Sequence, residues 1–185
     1  LRNKTIIDIG ANIGDTALDF VNRGVKKVYS IEPIPQTFSY LTRNIQNNSL
    51  EKVIVPLNYG IGDKNEKIVI PIRENASGGN SITFNKRNRG NKLYSKYVEV
   101  NVITVKDLWN IINTKVDIVK MDCEGCEYSI IKNNDLIKYF NPEYLVIEYH
   151  SGEQKIADWL KLNEYEIVSA RAKSKDLGVI TARKD

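Results

Sequence analysis

Short apolar runs separated by amphipathic stretches set the rhythm of this chain. Ile6–Ile9, Val28–Ile31 and Val53–Leu57 are compact and mostly apolar, while residues 15–23 and 35–47 carry apolar positions at helical spacing. Pro35 suits the first turn of the second helix, where its missing N–H is harmless. Further strands are expected at Ile118–Met121, Tyr144–Glu148, Glu166–Ser169 and Val179–Thr181, with helices over 104–113, 126–139 and 153–162. Apolar strands flanked by helices are buried on both faces, which implies a mostly parallel sheet. The alternation is that of a doubly wound α/β domain.

One stretch breaks the rhythm. Residues 63–103 hold no convincing helix but two alternating runs, Lys67 to Ile72 and Tyr97 to Ile103, around a Ser-Gly-Gly-Asn turn at 77–80. Residues 1–185 therefore read as one domain with an antiparallel or loop excursion inserted at about 63–103. Between Asn75 and Val98 there is no acid, but there are five bases: Lys86, Arg87, Arg89, Lys92 and Lys96. The net charge of +4 comes from this segment, and the remainder is near neutral. Long polar loops are usually functional or disordered. We expect 73–97 to be a mobile lid or acceptor-recognition loop, with plain disorder as the alternative.

At 185 residues and 42% hydrophobic content, the chain can bury a real core. No apolar run approaches the ~18 residues of a membrane span, and no signal peptide is visible. Leu1 enters a strand within a few residues, which reads as a trimmed chain with its upstream segment open. Cys123 and Cys126 are too close to close a large loop, so a reducing, cytoplasmic setting is expected.

The junction of the first strand and helix reads "DIGANIGDT", Asp8 to Thr16. Glycine inside regular structure costs roughly 0.5–1 kcal/mol relative to alanine, so this turn needs a bare backbone. A dinucleotide site would show G-x-G-x-x-G, but here Asn12 and Asp15 replace the later glycines. Asn12 tolerates a left-handed backbone, so the tight turn survives. Asp15 puts a negative charge where a pyrophosphate would sit, whereas an amino acid with a sulfonium meets no such conflict. S-adenosyl-L-methionine is such a ligand. Glu32, in Ile31-Glu32-Pro33, lies 22 residues after Gly10 and can take both ribose hydroxyls. The bland alternative is a solvated strand end.

"IIDIGANIGDTALDF", "VYSIEPIPQTFSYLTRNI", "VDIVKMDCEGCEYSII" and "PEYLVIEYH" resemble successive motifs of the FkbM-type S-adenosylmethionine-dependent methyltransferases. The resemblance runs from the first residues to about His150. It implies a seven-stranded class I methyltransferase (Rossmann-like) sheet with an antiparallel last hairpin, and methyl transfer to a hydroxyl of a sugar or other small metabolite. It also implies an N-terminal extension, not seen here, that can cover the cofactor. "LNYGIGD" (57–63) is similar to the segment that ends the third strand beside the adenine. The cofactor set is then Asp8, Gly10, Ala11, Asn12, Gly14, Thr16, Glu32, Pro33, Ile61, Asp63 and Asp122.

Lys120 to Glu127 follows a strand and opens a helix. Its three acids in six residues are costly like-charge crowding unless a cation arrives. Asp122, at the strand end, is expected to serve both cofactor and methyl site, and Glu124 to face the acceptor. Glu127 is placed on the helix as a cap or solvated charge. Glu148 and His150 end the strand expected beside this one and complete the catalytic candidates. His150, the sole histidine, reads either as a surface residue or as a general base or substrate hydrogen bond.

Cys123, Cys126, His150 and an acid could just supply four zinc ligands. Both cysteines, however, occupy the free positions of D-x-E-G-x-E, and we read them as small buried side chains with no metal. Aligning acceptor and methyl can supply roughly 7–11 kcal/mol of the barrier, against typically 10²–10⁴-fold from a general base. Two rivals remain. RNA could bind through the basic loop 86–96, although the Asn/Asp-Pro-Pro-aromatic motif is absent from Met121 to Gly125. A non-catalytic S-adenosylmethionine-binding module is the other.

Overall fold

The computed structural model describes residues 1–72 and 96–184. The chain begins β1 (Thr5–Ile9), α1 (Asp15–Asn22), β2 (Lys27–Ile31), α2 (Pro35–Asn47) and β3 (Ile54–Leu57). It continues through β4 (Gly60–Gly62), β5 (Glu66–Ile72) and β6 (Lys96–Thr104), then α3 (Val105–Ile112) and β7 (Ile118–Met121). It ends with α4 (Glu127–Lys132), α5 (Asp135–Tyr139), β8 (Tyr144–Tyr149), α6 (Gln154–Leu162), β9 (Glu166–Ala172) and β10 (Gly178–Arg183).

Seven strands form one sheet in the order β3-β2-β1-β7-β8-β10-β9. Its neighbours run parallel except at β10, which is antiparallel to both β8 and β9. Alternation of side chains along the strands sorts the core onto two faces. Ile6, Val28 and Ile118 pack with Ala17 of α1 and with Leu41 and Ile45 of α2. Ile7, Ile9, Val119 and Met121 face the other way, with Leu108, Ile130, Leu136 and Leu160 from α3–α6. Both faces are therefore covered, as the apolar runs predict. From β1 the chain winds first toward β3 and later crosses to β7. A crevice opens at the carboxyl ends of the strands at such a reversal.

Two features differ from the sequence reading. The helix expected over 126–139 is two helices, because Asn134 takes a left-handed φ of 57° before α5. The Trp159 indole holds that corner by donating to Asn134 Oδ1 at 3.0 Å. The runs read as antiparallel do pair, Glu66 opposite Val102 and Ile72 opposite Lys96. A short third strand, β4, adds parallel to β6. Lastly, the turn at 77–80 and Lys86, Arg87, Arg89 and Lys92 lie outside the described residues, as does the expected lid apart from Lys96 and Tyr97, which pair with Ile72 and Pro71.

Candidate functional site

The glycine turn is built as its sequence demands. Gly10 has φ +82° and Asn12 φ +51°, both left-handed. The N–H groups of Gly10 and Ala11 both donate to Ile31 O at 3.0 Å, tying the turn to the end of β2. Glu32 continues this stitching from the other side. Its carboxylate accepts from Asn12 N at 3.1 Å and from Ile34 N at 2.9 Å. Burial pushes the Glu32 carboxyl up to about 7, against the lowering effect of those two N–H bonds.

This has a consequence for stability. A carboxyl raised from 4.5 to about 7 binds an extra proton in the folded chain between those values. Its stabilising effect is full below that window and is lost as pH rises through about 7. The loss is on the order of 3 kcal/mol. Glu32→Gln cannot ionise, so wild type should lose about that much stability relative to the variant between roughly pH 4 and pH 8. Urea denaturation across that range measures it, and parallel pH dependences of the two proteins would contradict it.

Beneath the turn, Asp8 and Lys120 face each other across β1 and β7 and form a 2.9 Å ion pair. Asp8 is fully buried, and its Oδ2 has no hydrogen-bond partner among the described residues. Burial pulls the Lys120 ammonium down, but the Asp8 charge and hydrogen bond outweigh it, so Lys120 stays a cation. The same ammonium lies 3.9 Å from Asp122. Asp122 extends β7, its N–H donating to Ile9 O at 2.9 Å. Burial raises the Asp122 carboxyl, helped by Glu148 and Glu124 and opposed by Lys120 and His150.

The acid loop that follows corrects two expectations. Cys123 and Cys126 are joined by a disulfide, with Cα atoms 5.4 Å apart, where separate small side chains were expected. The loop carries Glu124 at φ +58° and Gly125 at φ +112°, which folds the chain back far enough for the sulfurs to meet. The pairing also withholds both cysteines from a zinc site. Glu127 is neither solvated nor a surface cap: it is fully buried. Its Oε1 accepts from Cys123 N at 2.9 Å and lies 3.1 Å from His150 Nδ1.

These segments enclose a cavity of about 340 Å³ at the carboxyl ends of β1, β2, β7 and β8. Of the residues singled out in the sequence, Gly10, Asn12, Thr16, Glu32, Pro33, Ile61, Asp122, Glu124 and Glu148 line it. Ala11 is buried in the core behind the turn, and Gly14 packs on Leu41. Asp63 is not on the cavity wall and instead pairs with Lys132 at 3.1 Å. His150 stands behind the acid wall, Nε2 being 3.9 Å from Asp122 and 3.7 Å from Glu124.

Sequence reasoning missed Ile34, Tyr59 and Lys173 in the wall. Asp122, Glu148 and His150 bring one donor atom each within 4.8 Å of one another. Lys173 already meets Glu148 at 2.8 Å, so cations of the chain itself serve this cluster. The cavity thus offers a buried carboxylate for a diol, apolar walls from Ile9, Ile34 and Ile61 for a flat ring, and an acidic end for a cation. That donor set fits S-adenosyl-L-methionine.

Residues 8–167 match the methyltransferase FkbM domain. No curated protein matches the chain. Among solved structures, the chain is similar to the methyltransferase FkbM from Methylobacillus flagellatus KT, with TM-score 0.65 and 17% identity over 97% of this chain and 43% of that one. It is also similar to Streptococcus pneumoniae Sp1610, described as a candidate tRNA (m1A22) methyltransferase and solved with S-adenosyl-L-methionine. There the TM-score is 0.57 and the identity 14% over 99% of this chain and 67% of that one. A third similar structure is M. capricolum TrmK with the cofactor product S-adenosyl-homocysteine, at TM-score 0.59 and 14% identity over 100% of this chain and 65% of that one. The chain spans under half the length of the first relative and about two thirds of the others. The chain belongs to the FkbM methyltransferase family.

Proposed function

We propose that this chain transfers a methyl group to a hydroxyl of a sugar or other small metabolite. The observation that carries the reading is the acidic end of the cavity, where Asp122, Glu124 and Glu148 converge beside a histidine. When bound, S-adenosyl-L-methionine supplies a methyl carbon already activated by a sulfonium. In this reading the glycine turn and Asn12 would hold the amino-acid end, Glu32 the ribose diol, and Ile34 and Ile61 the adenine. Asp122 faces the positive charge and holds the transfer geometry, while Glu124 and Glu148 border the acceptor's entrance. Most of the acceleration then comes from alignment, which can supply roughly 7–11 kcal/mol.

Glu32→Gln should weaken S-adenosyl-L-methionine binding about ten- to a hundredfold. A hydrogen bond to a charged group is worth about 1.5–3 kcal/mol, and each 1.4 kcal/mol is tenfold. Calorimetric titration checks this, and an unchanged affinity would remove Glu32 from the ribose site.

The likeness to Sp1610 keeps RNA as the second reading. The bases that suggested it at 86–92 lie outside the described residues. The deciding experiment is a screen of cell extracts with radiolabelled methyl donor, fractionated by size and nuclease treatment. Uptake into a small, nuclease-resistant fraction supports the hydroxyl-metabolite reading. Uptake confined to RNA, or binding without any uptake, overturns it.

A further inference from the structure

His150 is held from two sides. Its Nδ1 lies 3.1 Å from Oε1 of Glu127, a side chain with no solvent exposure. The loop after β8 is pinned by Tyr128, whose hydroxyl accepts from Ser151 N at 3.0 Å and donates to Gly152 O at 2.8 Å. Nε2 is thereby turned toward Asp122 and Glu124, at 3.9 and 3.7 Å, beyond direct hydrogen bonding. Oε1 of Glu127 also accepts from Cys123 N, and Oε2 is buried without a hydrogen-bond partner among the described residues. A buried carboxylate oxygen shared between a backbone N–H and a histidine nitrogen has the geometry that fixes an imidazole's tautomer and orientation.

We propose that Glu127 and His150 are the proton-accepting pair of the site. Glu127, as the positioning residue, holds hydrogen on Nδ1, and Nε2 takes the proton of an acceptor hydroxyl entering between Asp122 and Glu124. The proposal rests on the methyl-transfer reading above and deepens it by specifying the acceptor. A hydroxyl must lose a proton as it is alkylated, whereas a ring nitrogen with an in-plane lone pair need not. In the step, the acceptor oxygen forms a bond to the methyl carbon as its O–H bond breaks. The proton passes to Nε2, and the electron pair of the broken carbon–sulfur bond stays on sulfur.

The charged surroundings suit this role. Glu127 faces the ring from α4, Asp122 and Glu124 from the acid loop, and Glu148 precedes it on β8 with Lys173 paired to it. Lys120 stands behind Asp122, and the Tyr128 hydroxyl is bonded beside the ring. Burial pulls the imidazole down, but the Glu127 hydrogen bond and the carboxylate charges outweigh it and raise it overall.

The sole histidine makes the test direct. Nitrogen-15 NMR of the histidine-labelled chain, titrated with pH, reads both tautomer and midpoint without any substrate. The proposal expects the neutral ring to carry hydrogen on Nδ1. It also expects Glu127→Gln to move the midpoint to lower pH and to populate the Nε2–H form. An Nε2–H tautomer in wild type overturns it, and this result needs no variant to fold. An unmoved midpoint in a folded Glu127→Gln overturns it too. With an acceptor fraction from the extract screen, His150→Gln should slow transfer about 10²–10⁴-fold. Undiminished transfer would overturn the base role. Absence of transfer by wild type would instead sink the functional reading while leaving the tautomer result standing.

Discussion

Gly10→Ala should abolish the site and destabilise the whole fold. A Cβ on Gly10 would stand 1.8 Å from the carbonyl oxygen of Asp122 and 2.7 Å from its carbon. These are backbone atoms at the end of β7, so no side-chain rotation relieves the overlap. The left-handed φ of +82° adds about 1–2 kcal/mol for any residue with a Cβ. Overpacking adds about 1–3 kcal/mol, for a total of about 2–5 kcal/mol. Prying β1 from β7 also opens the crevice proposed to hold the cofactor, so S-adenosyl-L-methionine binding should be lost. Gly152→Ala is the control. Gly152 shares the left-handed backbone, at φ +93°, but a Cβ there meets nothing within 4 Å among the described residues. It should lose only the conformational part, and urea denaturation separates the two. Equal losses for both variants would mean that the approach of Gly10 to Asp122 is not what the turn's glycine serves.

Asp122→Asn should leave the fold intact and slow methyl transfer by about two orders of magnitude or more. Its backbone is fastened to Ile9 O, and its side chain is 35% exposed, so the amide fits where the carboxylate was. The charge is what disappears. Lys120 keeps its 2.9 Å bond to Asp8, but the cavity's acidic end loses the carboxylate that connects the glycine turn to the His150 side. A misplacement of about 1 Å in an aligned displacement costs roughly a hundredfold. The rate at saturating cofactor measures the effect, with circular dichroism as the folding control. Turnover at the parent rate would move the chemistry to Glu124 or His150.

What could be read in the sequence was what local pattern determines. The buried strands announce themselves by apolar runs, and the glycine turn by Gly10, Asn12 and Gly14. Glu32 follows from its distance beyond that turn, and each of these signals lies within about 25 residues. The features that escaped depend on longer contacts or on ambiguous spacing. Glu127 looks like a helix-start acid until β8 brings His150, 23 residues on, against it. Asp63 shares the local segment that places Ile61 in the cavity, but a lysine 69 residues away draws it outward. A two-residue gap between cysteines is compatible with a metal site, separate thiols or a disulfide, and only the left-handed turn at Glu124 and Gly125 selects the last. β4 is three residues with two glycines and carries no periodicity to detect. The break before α5 rests on one asparagine whose left-handed backbone is secured by Trp159 from another helix.

Methyl transfer to a hydroxyl oxygen is proposed at the Asp122–His150 end of the cavity. Its most direct test is the bond that the transferred methyl ends up in. The wild-type chain is incubated with S-adenosyl-L-methionine carrying carbon-13 in its methyl group and with a whole cell extract. Carbon-13 NMR of the purified product then reports the atom that accepted the label. An O-methyl signal in a nuclease-resistant small molecule is expected, formed about a hundredfold more slowly when Asp122→Asn replaces wild type. Label found on nitrogen, or only in RNA, would contradict it.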